Sequence, residues 1–187
     1  DNIQVAQPTT SAQYFHLLRR QVHQPDRRPL VVLTPKWLLR AHESRSSVDD
    51  LTHGSFQVVL DDPASPLSAT RLILASGKIA FDAMAARDAR GAAVPVARVE
   101  QLYPWPEDEI LRLLDRYPAV RDVVWLQEEP ENMGPWPFVH VRLHRVLRDR
   151  AELRHVSRAA SASPATGSQT IHAREQADLM ERVLSGG

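Results

Sequence analysis

Short apolar runs alternate with stretches of helical period along most of this chain, and that alternation limits the fold more than any other feature. Residues 70–75 read as a strand, Ser76 and Gly77 as a turn, and 79–90 as a helix. The pattern returns as a strand over 94–99 with a helix over 106–117, a strand over 122–126 with a helix over 136–148, and a strand over 152–156 with a helix over 170–184. Glu107, Asp108 and Glu109 fall in the first turn of the second of these helices, where the dipole favours negative charge. Strands separated by helices of about 12 residues form right-handed βαβ crossovers and a mostly parallel sheet. At 187 residues the chain reads as a single three-layer α/β domain.

The first third is less regular. Residues 1–9 read as a linker or the end of a strand. Thr10 to Gln13 form a T-x-x-Q capping box that opens a helix over 11–23, with Tyr14, Leu17, Leu18 and Val22 on its apolar stripe and Pro25 as its stop. A strand is expected over 29–34, one or two helical turns over 36–41, a polar loop over 42–54, a strand or extended piece over 56–60 and turns over 61–68.

Composition removes several function classes. There is no cysteine, so disulfides, thiolate metal sites and thiol nucleophiles are excluded. Acids and bases cancel at 23 each, which argues against a nucleic-acid binder or a membrane-surface protein. No apolar run approaches the roughly 18 residues of a membrane span, and no signal-peptide pattern opens the chain, so a soluble cytoplasmic protein is expected. All but two of the bases are arginine; Lys36 and Lys78 are the exceptions. Neither G-x-G-x-x-G nor a P-loop occurs.

In open α/β sheets ligands meet loops at the carboxyl ends of strands. The loops so placed are 34–36 with Lys36, 76–78 with Lys78, 100–105 with Glu100 and Tyr103, 127–136, and 157–168. The string Q-E-E-P-E-N-M-G-P-W from Gln127 to Trp136 is the richest. Its adjacent Glu128 and Glu129 suit acid/base work if burial splits their pKa values. The commoner role is structural, with the acids paired to arginines such as Arg98 and with Asn132 and Gly134 shaping the turn into the next helix. His140 and His144 have the i, i+4 spacing of metal ligands, but the H-E-x-x-H signature is incomplete, and the flank of an amphipathic helix accounts for them. His16 reads as a packed histidine. Ser161 and Ser163 belong to no nucleophile elbow, yet suit an anion at the start of the last helix. Tyr14, Phe15, Tyr103, Trp105 and Trp136 are candidates for an exposed association face.

Six blocks resemble one family, in order. They are the run from Pro8 to Gln21, the run from Arg28 to Lys36 with Leu38, Leu39 and Arg40, Ser76-Gly77-Lys78, the R-V-E-Q-L-Y-P string from Arg98, the Q-E-E-P-x-N-M-G-x-W string, and the loop from Ser161 to Gly167. Together they look like the C-terminal domain of the E1 component of 2-oxoglutarate dehydrogenase. Departures are modest: Ser11 where the family often has proline, Trp37 where a small residue is usual, and Ala159-Ala160 in place of an Arg-Pro-like pair.

The resemblance implies a transketolase-type C-terminal domain, with a mixed, mostly parallel five-stranded sheet between helical layers. Residues 1–24 would be the linker and leading helix of a preceding pyrimidine-binding domain, and 25–187 the C-terminal domain. It further implies a homodimeric enzyme that uses thiamine diphosphate and Mg²⁺ to decarboxylate 2-oxoglutarate and passes the succinyl group to the lipoyl group of its dihydrolipoamide succinyltransferase partner, E2. The G-D-G…N element that holds that cofactor is missing, so cofactor, metal and catalytic residues are expected in upstream E1 domains. A regulatory module that binds a nucleotide or an acyl-CoA in the strand-end crevice is the alternative.

Overall fold

Leu72, Ile73, Leu74 and Ala75 are buried in succession but serve two different cores. Leu72 and Leu74 join one cluster, Ile73 and Ala75 the other. A strand covered on both faces must read this way. The computed structural model describes every residue except 1, 63, 65, 186 and 187; the turns expected over 61–68 thus lie partly outside the described residues.

In chain order, β1 (Gln4–Ala6) leads through α1 (Ser11–His23) to β2 (Leu30–Val32). A 3₁₀ turn (Lys36–Leu39), α2 (Val48–Thr52) and β3 (Val59–Leu60) follow. Then come β4 (Arg71–Ala75), α3 (Ile79–Arg90), β5 (Val96–Val99), β6 (Gln101–Tyr103), α4 (Glu107–Arg116), β7 (Asp122–Pro130), α5 (Trp136–Leu147), β8 (Glu152–Arg158) and α6 (Gln169–Leu184). Half of the expected capping box of α1 is present: Thr10 Oγ1 accepts the Gln13 N–H at 3.2 Å, while the Gln13 carboxamide turns to Gln57.

The main sheet has the order β3-β5-β4-β7-β8, parallel throughout except for β3, which runs antiparallel to β5. This is the mixed, mostly parallel five-stranded sheet. Side chains of α4 and α5 cover one face around Trp125, which is fully buried. Those of α3 and α6 cover the other. Crossovers from β4 and β7, which are neighbours, therefore leave on opposite faces, so the sheet changes direction between them. Asp62 holds the edge: it pairs with Arg87 of α3, both buried, and accepts the Val96 N–H at 3.0 Å.

Four features differ from the sequence expectations. A second sheet, β2-β1-β6, carries the N-terminal strands, so the stretch at 30–32 is not part of the main sheet. Residues 101–103, expected in a loop, form its antiparallel strand β6. Within the stretch expected as a polar loop, residues 48–52 form a short helix, closed by a Ser47–Asp50 capping box. Finally β7 continues past Leu126 to Pro130 across a register shift against β8.

Candidate functional site

The crevice at the carboxyl end of β4 is filled by the chain itself. Ser76 Oγ donates to Gln7 Oε1 at 2.8 Å, and the Gln7 carboxamide lies where a side chain at position 77 would go. The backbone there has φ +75°, which glycine adopts without strain. Lys78 is half-buried, paired with Asp82 and 5.4 Å from the Trp37 ring centroid, while Lys36 is exposed on the surface.

Beside Gln7 lies a buried polar joint. Glu100 follows β5 directly and is 0% exposed. Its carboxylate accepts the Thr9 N–H at 2.8 Å and the Thr9 hydroxyl at 2.5 Å, with Gln13 Nε2 at 3.4 Å. Its carbonyl accepts the Gln7 N–H at 2.7 Å, and its own N–H donates to the Val58 carbonyl at 2.9 Å. Arg98 completes the chain by donating to Thr9 Oγ1 at 2.8 Å, its guanidinium 5.2 Å from the Phe81 ring centroid. Burial pushes the Glu100 carboxyl above the usual range, against the pull of Arg98 and of the Thr9 bonds. Arg98 is thus engaged with Thr9, and not with Glu128 or Glu129 as the sequence suggested.

Residues 127–136 form a second ordered group. Gln127 is their hub: Oε1 accepts from Trp125 Nε1 (3.2 Å) and the Trp136 N–H (2.9 Å), while Nε2 donates to the carbonyls of Pro130 (3.1 Å) and Met133 (2.8 Å). Gly134 adopts φ +66°, with the Glu129 side chain against its Cα. Burial, then the neighbouring Glu128 charge, raises the Glu129 carboxyl, and Arg158 opposes the shift. Asn132 ties the group to the next loop, exchanging hydrogen bonds of 3.0 Å with the backbone of Ser161. Trp136 stacks on His155 at 4.3 Å between ring centroids and meets His140 at 4.9 Å. Burial lowers the His155 pKa, against Glu131.

Helix α6 starts at Gln169 with Ser168 as its cap, so Ser161 and Ser163 are not at its N-terminus; they bond within their own loop. His16 is buried, its Nε2 2.8 Å from the Asp50 carbonyl. His140 and His144 are exposed, their ring centroids 6.3 Å apart. Tyr103 packs edge-on against Phe138, and Trp105 and Trp136 lie partly buried against the core, which leaves less of these three rings for the expected association face. Tyr14 and Phe15 remain 43% and 45% exposed. With Leu18, Leu38 and Leu39 they line an apolar cavity of about 610 Å³, whose lining also includes Pro8, Thr9, Thr10 and Thr34 at the carboxyl ends of β1 and β2. Gln7, Thr9, Gln13 and Gln127 carry these arrangements, and no sequence signal marked the first three as a joint.

The family described as 2-oxoglutarate dehydrogenase C-terminal matches residues 45–184. The pyrimidine-binding domain family of transketolase matches residues 1–42. Among relatives, a 2-oxoglutarate dehydrogenase E1 component of Coxiella burnetii is 43% identical over 189 residues, and one of Azotobacter vinelandii is 44% identical over 190. A 2-oxoadipate dehydrogenase complex component E1 of Xenopus laevis is 42% identical over 189 residues. Each match covers 98% of this chain but 20% of the relative, so the chain spans about a fifth of the length of the proteins it matches. With most of its length matched by that first family and near-complete alignment to E1 components, the chain belongs to the 2-oxoglutarate dehydrogenase C-terminal family.

Proposed function

We propose that this chain is the C-terminal part of the E1 component of a 2-oxo acid dehydrogenase complex, which decarboxylates 2-oxoglutarate and passes the succinyl group to the lipoyl group of E2. The observation that carries this reading is the collinear match of 98% of the chain to E1 components. On this reading residues 1–24 belong to the preceding pyrimidine-binding domain and 25–187 form the C-terminal domain, which helps assemble a cytoplasmic homodimer and organise its active sites. Residues of the 127–136 group and the Thr9–Glu100 joint then serve as scaffold.

Thiamine diphosphate and Mg²⁺ would be held elsewhere in the enzyme. The chain has no Gly-Asp-Gly element, and its described residues include no group of three His, Asp or Glu placed to hold a metal. These donors do not fit the cofactor, so no chemical step is assigned to them.

The Xenopus relative names 2-oxoadipate, one methylene longer, and it is as similar as the others, so both acids belong in the test. The full-length enzyme, supplied with thiamine diphosphate and Mg²⁺, is expected to decarboxylate 2-oxoglutarate in preference to 2-oxoadipate. Calorimetry on the 187-residue chain alone is expected to show no saturable binding of the cofactor. Saturable micromolar binding to the isolated chain, or a full-length protein inert to both acids, would overturn the reading.

A further inference from the structure

The cavity at the carboxyl ends of β1 and β2 and the buried joint at Glu100 share one residue. Thr9 contributes to the cavity lining, while its hydroxyl and N–H are both bound to the Glu100 carboxylate. We propose that Glu100 is a positioning residue: by clamping Thr9 it fixes the loop between β1 and α1, and so sets the shape of the cavity that this loop lines.

Three observations support this. The clamp joins the two family-matched segments, because Thr9 and Gln13 lie within 1–42 whereas Arg98 and Glu100 lie within 45–184. It grips the loop at two points, since the Glu100 carbonyl holds the Gln7 N–H while its carboxylate holds Thr9. And it is costly for stability alone. A fully buried carboxylate loses its hydration, and Arg98 reaches it only through the Thr9 hydroxyl. A buried charge is weak evidence of stabilisation, and fixing a register is the best-attested use of one. The register fixed here is that of a strand-end loop, the place where α/β sheets present ligand contacts. Gln13 reinforces it from α1, with Nε2 donating to the Gln57 carbonyl at 2.6 Å and Oε1 accepting the Gln57 N–H at 3.0 Å.

The inference rests on the E1 reading for its turnover arm only. In the full-length enzyme, Glu100→Gln keeps the shape and removes the charge, Thr9→Val keeps the shape and removes the hydroxyl, and Thr9→Ser restores the hydroxyl. Amide hydrogen exchange at Gln7, Thr9 and Ser11 is read beside kcat, KM and the melting temperature. Glu100→Gln and Thr9→Val are expected to speed exchange at these amides and to lower kcat roughly 10- to 100-fold, the scale of a misplacement of about 1 Å. Glu100→Gln should move melting little, Thr9→Val should lower it because Glu100 and Arg98 both lose a buried partner, and Thr9→Ser should stay close to the parent. Unchanged exchange in both variants overturns the clamp, and faster exchange with unchanged turnover overturns its influence on the reaction. If one variant does not fold, the other decides. A parent protein inert to both acids defeats the E1 reading instead, and the exchange comparison then judges the clamp by itself.

Discussion

Asp122 holds three elements with one carboxylate. At the first position of β7, it accepts from Arg71 Nε of β4 at 2.5 Å and from Arg154 Nε of β8 at 2.8 Å, and Arg71 also reaches the Ser185 carbonyl beyond α6 at 3.0 Å. Burial alone would raise the carboxyl, but the hydrogen bonds from Arg154 and Arg71 outweigh it and hold the group below its usual range. Its folded pKa is thus lower than its unfolded value of about 3.9. The stability it contributes is full above that value and is lost as pH falls through the folded one. Asp122→Asn is expected to cost about 1.5–3 kcal/mol at pH 7, the range for hydrogen bonds to charged groups. The gap to the parent should narrow on titration toward pH 2 in denaturant melts; a gap that stays constant would show that charge is not the cause. Glu100 has the opposite sign. Its folded value is raised, so its contribution is full below the unfolded value and declines as pH rises through the folded one. Neither behaviour was legible in the sequence, because the partners sit 51 and 91 residues away.

At the scale of elements, what was legible was what is encoded locally. The helix expected over 79–90 is α3 itself, and α6 begins one residue earlier than expected, because apolar stripes and caps lie within each segment. Strand β6 was missed because three residues whose partner strand, β1, lies far back in the chain carry no period. Helix α2 has no buried face, and its one signal was the S-x-x-D cap. The extension of β7 runs through Gln127, Glu128, Glu129 and Pro130, residue types that strands disfavour and that a register shift accommodates. Its turn into α5 depends on Gly134. An added Cβ there would meet Glu129 Cβ at 2.9 Å and keep φ at +66°. Gly134→Ala is expected to cost about 1–3 kcal/mol in denaturant unfolding. Pairing it with Glu129→Ala should recover the part due to crowding and leave the part due to backbone strain. Strict additivity of the two substitutions would refute that division.

For the whole molecule, an apolar face around α1 is left uncovered, with Tyr14, Phe15, Leu18 and Leu39 exposed. The formal net charge is zero, so little repulsion opposes association through that face. Sedimentation of the isolated chain is expected to show self-association at micromolar concentration, relieved by Phe15→Glu; a monodisperse monomer across the range would remove α1 from any dimer contact. The small sheet has a consequence in time. Strand β1 pairs with β2 on one side and with β6 on the other, and its partner Tyr103 lies near the middle of the chain. During synthesis at roughly 5–20 residues per second, β1 therefore waits on the order of 5–20 s for its second neighbour. Throughout that interval one edge of a short apolar ribbon stays open to whatever strand or chaperone meets it first.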